Sequence, residues 1–504
     1  MKIKHAWTSG PKGSFLALIA GCLFPLGFAP IGAWPLSIIS IALLVPLLNG
    51  QTSKRALWRG WLYGFGFYTV GVSWVYISIN TYGYTPMPLS VILTGFFTGG
   101  LALFFALFAW SYQKFGLEKW YWISFPSWWV IFEWIKSWLL SGFPWLYAGN
   151  AFIDTPLDGY APVTGVLGIS WVVALSGTLL ALAIIRPAKQ RQALAAIAVA
   201  WGIGYGLQQQ TWVQPAMTKT LNIAIIQGNI PQEKKWDPKY RDEIIGTYTS
   251  NTDKNWDKDL VIWPEAAFPV FYQEALDLVA RLNLKAQDTN TAIISGAPFW
   301  ETKEGKYHYY NAIFATGNGN GVYHKQRLVP FGEYVPLEDF IRGLIPFFDL
   351  PLSSFTRGAP DQDLLQAAGA SFAPFICYEI VYPELVRTMG KNADYLITIS
   401  NDAWFGTSWG PNQHMEIARM RALELGKYLI RGTNTGVTAI IDHKGNVQGV
   451  LPQFQQDVLN GTVYTTAGKT PYQTFGWWPV LGLCGIISLV CGVLGLKARA
   501  SLIK

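Results

Sequence analysis

Seven apolar stretches crowd the first 210 residues of this chain, and an eighth lies close to its end. They run over about 13–29, 31–48, 57–79, 87–111, 120–140, 161–185, 192–209 and 477–496. Each approaches the roughly 17–25 residues with which an α-helix crosses a hydrocarbon core. Charged residues make up only 14% of the chain and apolar ones 51%, against roughly 25% charged in a soluble average. A polytopic α-helical membrane domain of about eight spans is therefore expected. The first pair, split by Pro25 and the turn Ala29-Pro30-Ile31-Gly32, also fits a re-entrant hairpin. Glu133 and Lys136 lie three residues apart in the fifth stretch, where they suit a structural pair on one helix face, with a role in substrate binding as the alternative. The seventh stretch is weak. The spacing of Gly60 and Gly64 permits close helix contact.

Basic residues test the count. With the N-terminus in the cytoplasm, the inner segments hold Lys2, Lys4 and Lys12, then Lys54, Arg55 and Arg59, then Lys114 and Lys119. Arg186, Lys189 and Arg191 follow, and finally Lys497, Arg499 and Lys504. The connections at 25–31, 80–86 and 141–160 hold no lysine or arginine. This is a positive-inside pattern with both termini cytoplasmic. It accounts for the basic residues of a chain with net charge +7 without invoking nucleic acid. A basic start before an apolar core loosely fits a cleaved signal peptide, but Pro25, Pro30 and the second apolar run fit a retained hairpin better. The expected boundaries are a membrane domain over 1–212, a water-facing domain over 215–474 and the last span over 477–496. By the charge rule the water-facing domain lies outside the cytoplasm, which in a Gram-negative cell is the periplasm.

In residues 215–474 charge returns. β-rich runs stand at 221–227, 260–263, 291–295 and 395–400. Helical segments are expected around Glu243, over 270–286 and over Met415 to Arg431. Strands buried on both faces with helices between them mean an α/β layer sandwich.

The chain has four cysteines, at 22, 377, 484 and 491. All but Cys377 fall in apolar spans, where a cysteine is mostly a small hydrophobe. A lone cysteine in an oxidising compartment is unusual. Cys377 closes the run Phe375-Ile376-Cys377-Tyr378-Glu379. Two other polar segments also follow predicted strands, where α/β folds place ligand sites. They are Val261-Ile262-Trp263-Pro264-Glu265 and Tyr323-His324-Lys325-Gln326-Arg327 through Phe331-Gly332-Glu333. Alone, Glu265 reads as a surface acid or helix cap and Lys325 as part of a solvated basic loop.

Together, a glutamate, a lysine and a cysteine in these three contexts resemble the apolipoprotein N-acyltransferase family, a membrane-embedded branch of the nitrilase superfamily. The resemblance covers nearly the whole chain and implies an αββα sandwich for the water-facing domain. It implies Cys377 as nucleophile, Glu265 as general base and Lys325 as a positive charge beside the oxyanion. The N–H of Tyr378 suits a second oxyanion donor. Glu333 resembles an additional active-site glutamate that orients the lysine, and Glu379 a family residue beside the nucleophile. Trp236 resembles a residue lining the entrance from lipid, with ordinary packing as its alternative. Asn311 resembles an asparagine near the site, with an Asx turn as its alternative. The loop Asn401–Gly406 resembles one beside the nucleophile, and Phe347–Leu352 an arm that meets lipid.

The implied reaction takes an acyl chain from the sn-1 ester of a phospholipid, phosphatidylethanolamine, through a Cys377 thioester. It delivers the chain to the α-amine of an S-diacylglyceryl cysteine at a lipoprotein N-terminus, the final step of lipoprotein maturation. No cofactor is implied, and the histidines at 5, 308, 324, 414 and 443 show no metal-ligand spacing. A monomer is expected. Two rival readings are a membrane-tethered amidase that uses water as acceptor and a transporter with a periplasmic binding domain.

Overall fold

The computed structural model describes residues 10–116, 120–335 and 354–500, so the Phe347–Leu352 arm lies outside the described residues. The chain divides into two compact units. One comprises Met1–Tyr76, Met87–Thr211 and Thr474–Lys504, and the other Ile77–Pro86 and Trp212–Gln473.

In the first unit every expected apolar stretch carries a helix: Gly10–Leu23, Trp34–Leu48, Ser53–Gly71, Met87–Phe115, Tyr121–Lys136, Ala161–Ile185, Gln190–Gln208 and Trp478–Ala500. Among the described residues four helical stretches are long and apolar enough to cross a membrane: Gly10–Gly27, Met87–Phe115, Pro156–Ile185 and Trp478–Lys497. A fifth is added only if Ser53–Gly71 and Val75–Tyr82 make one broken span. The others fall short for physical reasons. Trp34–Leu48 has 15 residues, a length of ~22 Å against a core of ~30 Å. Tyr121–Lys136 has 16 residues and carries both Glu133 and Lys136. Gln190–Gln208 opens on Gln-Arg-Gln and ends on glutamine.

Glu133 and Lys136 find separate partners. Glu133 Oε1 accepts from Trp129 Nε1 at 3.0 Å and from the Ala148 N–H at 2.8 Å. Lys136 Nζ donates to the Trp145 carbonyl at 2.7 Å. Both therefore brace the chain beyond their own helix. The glycine spacing does what close packing requires. A side chain at Gly60 would strike the Phe105 carbonyl and Ala109, and one at Gly64 would strike Ala102, so Ser53–Gly71 lies tight against Met87–Phe115.

The second unit contains two mixed sheets. The first has six strands in the order β13-β1-β2-β3-β4-β6. These are β1 (Val213–Gln227), β2 (Leu260–Ile262), β3 (Ala292–Lys303), β4 (Lys306–Gly317), β6 (Val322–His324) and β13 (Asp457–Gly468). The second has seven strands in the order β12-β11-β10-β9-β8-β7-β5. These are β5 (Gly319–Asn320), β7 (Leu365–Ala367), β8 (Ala370–Ile376), β9 (Tyr395–Ser400), β10 (Leu429–Thr433), β11 (Ala439–Ile441) and β12 (Val447–Val450). Each sheet has a parallel core of three strands, β1-β2-β3 and β8-β9-β10.

Period-two patterning explains the layers. Ile223, Ile225, Ile262 and Ile294 point to a dry interior shared with Phe372, Ile376, Ile397, Ile399 and Ile430 of the other sheet. The alternate residues Ala224, Ile226, Val261 and Ile293 instead meet Ile244, Tyr248, Val279 and Leu282 of the helices Arg241–Thr252 and Leu276–Asp288. Helices Pro383–Gly390 and Gly410–Leu425 pack on the second sheet. The result is an αββα sandwich.

The expected strands match β1, β2, β3 and β9, with Trp263 lying one residue past the end of β2 and Thr291 one residue before the start of β3. Three expected boundaries are corrected. The helix expected from 270 begins only at Leu276, after a short 3-10 turn at Tyr272–Glu274. The helix expected over Met415 to Arg431 ends at Leu425, because Gly426 takes a left-handed φ of 58°. Leu429–Thr433 is then strand β10, with Arg431 buried at its centre. The stretch expected as one span over 57–79 is helical only to Gly71 before it breaks. Ile77–Pro86 belongs to the second unit, where Ser78 Oγ donates to the Trp404 carbonyl at 2.8 Å and Tyr82 meets the Trp404 ring edge-on.

Ile397 is fully buried between the sheets. Ile397→Ala is expected to destabilise the protein by about 2–5 kcal/mol. Thermal unfolding of the purified protein checks this; an unchanged melting temperature would contradict the placement of β9 at the centre of the core.

Candidate active site

Strand β8 delivers Cys377 at its C-terminal end, where a 3-10 turn, Cys377–Val381, begins. Cys377 has φ +52°, a left-handed conformation that costs a non-glycine residue about 1–2 kcal/mol. Two contacts hold it there. Glu379 Oε2 accepts the Ile376 N–H at 2.9 Å, and His414 Nε2 lies 3.1 Å from the Cys377 carbonyl. A carbonyl only accepts, so that imidazole nitrogen carries the proton. Burial pushes the thiol well above its ordinary pKa, with Glu265 adding to the rise and Lys325 opposing it. At rest the sulfur is a thiol and needs a base to become a nucleophile.

Glu265 follows β2 through Trp263-Pro264. The strand end folds back over β3: the Ala267 N–H donates to the Gly296 carbonyl at 3.0 Å, and the Gly296 N–H to the Pro264 carbonyl at 3.3 Å. Only glycine fits at 296, since a Cβ there would lie 2.8 Å from both Glu265 Cα and Ala266 N. The carboxylate is clamped from two directions. Oε1 accepts from Asn311 Nδ2 and Oε2 from the Asn401 N–H, both at 2.7 Å.

Lys325 follows β6 and its side chain is 1% exposed. Nζ donates to Glu333 Oε1 at 2.8 Å and lies 3.8 Å from Glu265 Oε1. Burial works against the ammonium, but Glu333, Glu265 and Cys377 outweigh it and raise the lysine pKa. Asn311 is a mid-strand residue of β4, not an Asx turn, and its Nδ2 also donates to Glu333 Oε1 at 2.9 Å. Glu333 is fixed in turn by the Val329 N–H on Oε2 at 2.8 Å.

Glu379 is not beside the thiol's proton path. Its carboxylate is fully buried and accepts four hydrogen bonds: Tyr323 OH, Gln326 N–H and Arg327 N–H on Oε1 and the Ile376 N–H on Oε2. Burial raises its pKa to about 7 while these backbone donors oppose the rise. Tyr378 is buried, its ring edge-on to Tyr382 at 5.3 Å. Trp236 is half-buried in the turn before Asp237, next to the buried Lys235.

Four residues of the site, Lys235, His414, Arg431 and Asn434, were not singled out from the sequence, whereas Asp402 belongs to the loop Asn401–Gly406 that was. Lys235 is buried and donates to the Glu265 carbonyl at 3.0 Å. Behind Cys377, Asp402 Oδ1 lies 3.1 Å from His414 Nδ1, and Arg431 Nη2 donates to Asp402 Oδ2 at 2.7 Å. Asn434 Nδ2 donates to Asn401 Oδ1 at 3.0 Å. Among the described residues no cluster of histidine, cysteine, aspartate or glutamate has the makings of a metal site. The arrangement offers a thiol, a clamped carboxylate and a buried ammonium, a set suited to acyl transfer through a thioester.

A two-sheet sandwich with this set at its strand ends defines a nitrilase-type protein, and the Carbon-nitrogen hydrolase family model matches residues 222–472. A CN-hydrolase superfamily protein from Xanthomonas campestris aligns with 52% of this chain and 97% of its own, at 19% identity and a TM-score of 0.37. The Apolipoprotein N-acyltransferase N-terminal domain model matches residues 20–179. Apolipoprotein N-acyltransferase of Pseudomonas aeruginosa is 45% identical over 503 residues, covering 98% of both chains. That of Azotobacter vinelandii is 44% identical, covering 95% of both. The chain belongs to the apolipoprotein N-acyltransferase family.

Glu379→Gln keeps one acceptor oxygen but sets an amide NH2 against N–H donors. It is expected to cost about 1–3 kcal/mol and to slow acylation of Cys377, since the turn that holds the sulfur loosens. Thermal melting together with the rate of acyl-enzyme formation checks this; wild-type values of both would refute the role.

Proposed function

We propose that Cys377, Glu265 and Lys325 carry a two-step acyl transfer from phospholipid to the N-terminal amine of a diacylglyceryl lipoprotein. One observation carries the reading: Lys325 Nζ lies between Glu333 and Glu265, so a buried cation and an oriented base share one cluster with a protonated thiol. In the first step Glu265 takes the Cys377 proton as sulfur attacks the sn-1 ester carbonyl. The negative charge moves to the carbonyl oxygen, stabilised by Lys325 Nζ and the Tyr378 N–H. Collapse expels the lysophospholipid oxygen, which takes the proton from Glu265, and leaves a thioester. In the second step the lipoprotein α-amine attacks the thioester and gives its proton to Glu265. Collapse releases the amide and returns the proton to sulfur.

Asn311, Glu333 and Glu379 orient these groups, and Trp236 faces the lipid-side entrance. We take phosphatidylethanolamine as donor and a monomer as the working state. The membrane-facing part of the reading is eight crossings, both termini cytoplasmic and the catalytic domain over 215–474 in the periplasm. The positive-inside charge distribution supports it, as does a helix in each of the eight apolar stretches. A transfer between two lipids also gives the membrane helices a purpose that a hydrolase of soluble amides lacks.

Purified protein incubated with phosphatidylethanolamine and a diacylglyceryl peptide is expected to add one acyl chain to the peptide, by mass, through a hydroxylamine-labile adduct on Cys377. Cys377→Ser is expected to abolish both. Glu265→Gln is expected to lower transfer by about 100-fold or more. Free fatty acid without peptide acylation would establish a hydrolase instead, and wild-type transfer by Glu265→Gln would remove that residue as the base.

A further inference from the structure

We propose that Lys235 is a positioning residue of the acyl-transfer site, whose buried ammonium holds the main chain of Glu265 and balances the charge of the reacting cluster. The proposal rests on the roles given above to Glu265, Lys325 and Cys377.

Lys235 is 1% exposed, and a lysine is rarely buried without a charged partner. Its Nζ donates to the Glu265 carbonyl at 3.0 Å, which supplies a hydrogen bond but no countercharge. The charge it answers is that of the cluster. Glu265 and Glu333 bring two negative charges and Lys325 one positive, leaving one negative charge in excess. The ammonium of Lys235 brings the sum to zero. When sulfur attacks, the thiol proton moves to Glu265 and a negative charge appears on the substrate oxygen, so the sum stays at zero. Once Glu265 is protonated, Glu333, Lys325 and Lys235 leave a sum of +1 to balance the oxyanion; without Lys235 they leave zero, and the oxyanion loses one of its two cations at low dielectric, where opposite charges attract strongly.

The turn that carries Lys235 is built into the site. Asn434 grips Ile230 at both its N–H (2.9 Å) and its carbonyl (2.8 Å). Gln232 Oε1 accepts from Asn401 Nδ2 at 2.7 Å, and the N–H of that same Asn401 donates to Glu265 Oε2. Its neighbour Lys234 instead turns outward to Glu243.

Burial brings the Lys235 pKa down to about 8, with Glu265 and Cys377 acting the other way. The sign follows. Below about pH 8 the ammonium is present and the cluster is neutral; above it the proton is lost and the excess negative charge returns. Of the neighbouring groups, the Cys377 thiol and Lys325 are both pushed up, and Glu379 is raised to about 7, on the acid side of Lys235.

The test is the single-turnover rate of Cys377 acylation by the full-length protein in phosphatidylethanolamine–detergent micelles, over roughly pH 6 to 10. Wild type is expected to lose rate above about pH 8. Lys235→Arg, which stays charged, is expected to keep its rate for about one pH unit or more beyond that. Lys235→Met is expected to be slower by about tenfold or more near neutrality, with no fall near pH 8 and with the KM for phospholipid within about twofold. A Lys235→Met profile that superimposes on wild type would overturn the proposal, as would a Lys235→Arg profile that still falls near pH 8. If Lys235→Met does not fold, the Lys235→Arg profile alone decides. Wild type that forms no acyl-enzyme would overturn the catalytic reading and this inference with it, whereas normal acylation with unshifted variants overturns only the inference.

Discussion

One buried carboxylate keeps the two halves of the sandwich in register at the site. Glu379 leaves the end of β8 in the seven-stranded sheet, and three of its four donors come from Tyr323, Gln326 and Arg327, on and after β6 of the six-stranded sheet. The fourth, the Ile376 N–H, comes from the cysteine's own strand. Each donor alone is worth little net, but a carboxylate taken out of water without them would be costly. The distance from Lys325 to Cys377 is thus set by a group that touches neither proton nor substrate. Glu265 repeats the device. Asn311 on β4 holds one oxygen and the Asn401 N–H after β9 holds the other, so this carboxylate is also strung between both sheets.

This cross-bracing bears on how the thiol is activated. A cysteine poised as a thiolate would need a cation close by and little burial. Cys377 has such a cation in Lys325, but burial and Glu265 outweigh it and favour the neutral form. In the proposed mechanism proton and charge therefore move together, and only when an acyl carbonyl is present to receive the charge. Keeping water from the thioester matters when the acceptor is a slow-diffusing lipid anchor.

Much of this was legible in the sequence because its signals are local. Hydropathy separated the two kinds of chain, and short β-rich runs marked β1, β2, β3 and β9. Glu265, Lys325 and Cys377 each stand just beyond a strand, β2, β6 and β8 in turn, where side chains leave the sheet. What was not legible depends on tertiary placement. Asp402, His414 and Arg431 lie on three elements and meet only behind the cysteine. Arg431 was hidden further, because the run from Met415 has helical composition and its single Gly426 carries the whole helix-to-strand change. Lys235 stands beside Trp236, a residue that carries the family resemblance, and its own part shows only in its placement against the Glu265 carbonyl. Asn311 follows two tyrosines, and the Asx turn that it could have made gives way to a place inside a twelve-residue strand. The membrane segments show the limit of composition: a run such as 31–48 is apolar enough throughout, yet only fifteen of its residues become helix.

His414 shows why one support of the cysteine's turn and the cluster's charge respond differently to pH. Its Nε2 carries a proton for the Cys377 carbonyl, so in the neutral ring Nδ1 must accept, and Arg431 Nη2 stands 3.1 Å away to donate. Burial lowers the affinity of this ring for a second proton, and Arg431 lowers it further. Should that proton arrive in acid, Nδ1–H would find Asp402 Oδ1, also at 3.1 Å, whose own pKa is held low because Arg431 and His414 together outweigh burial. In both states Nε2–H continues to hold the Cys377 carbonyl. His414 thereby holds the Cys377 carbonyl in either protonation state, and the pH dependence of the reaction is left to Glu379, the other support of that turn, and to the groups that exchange protons and charge around the sulfur.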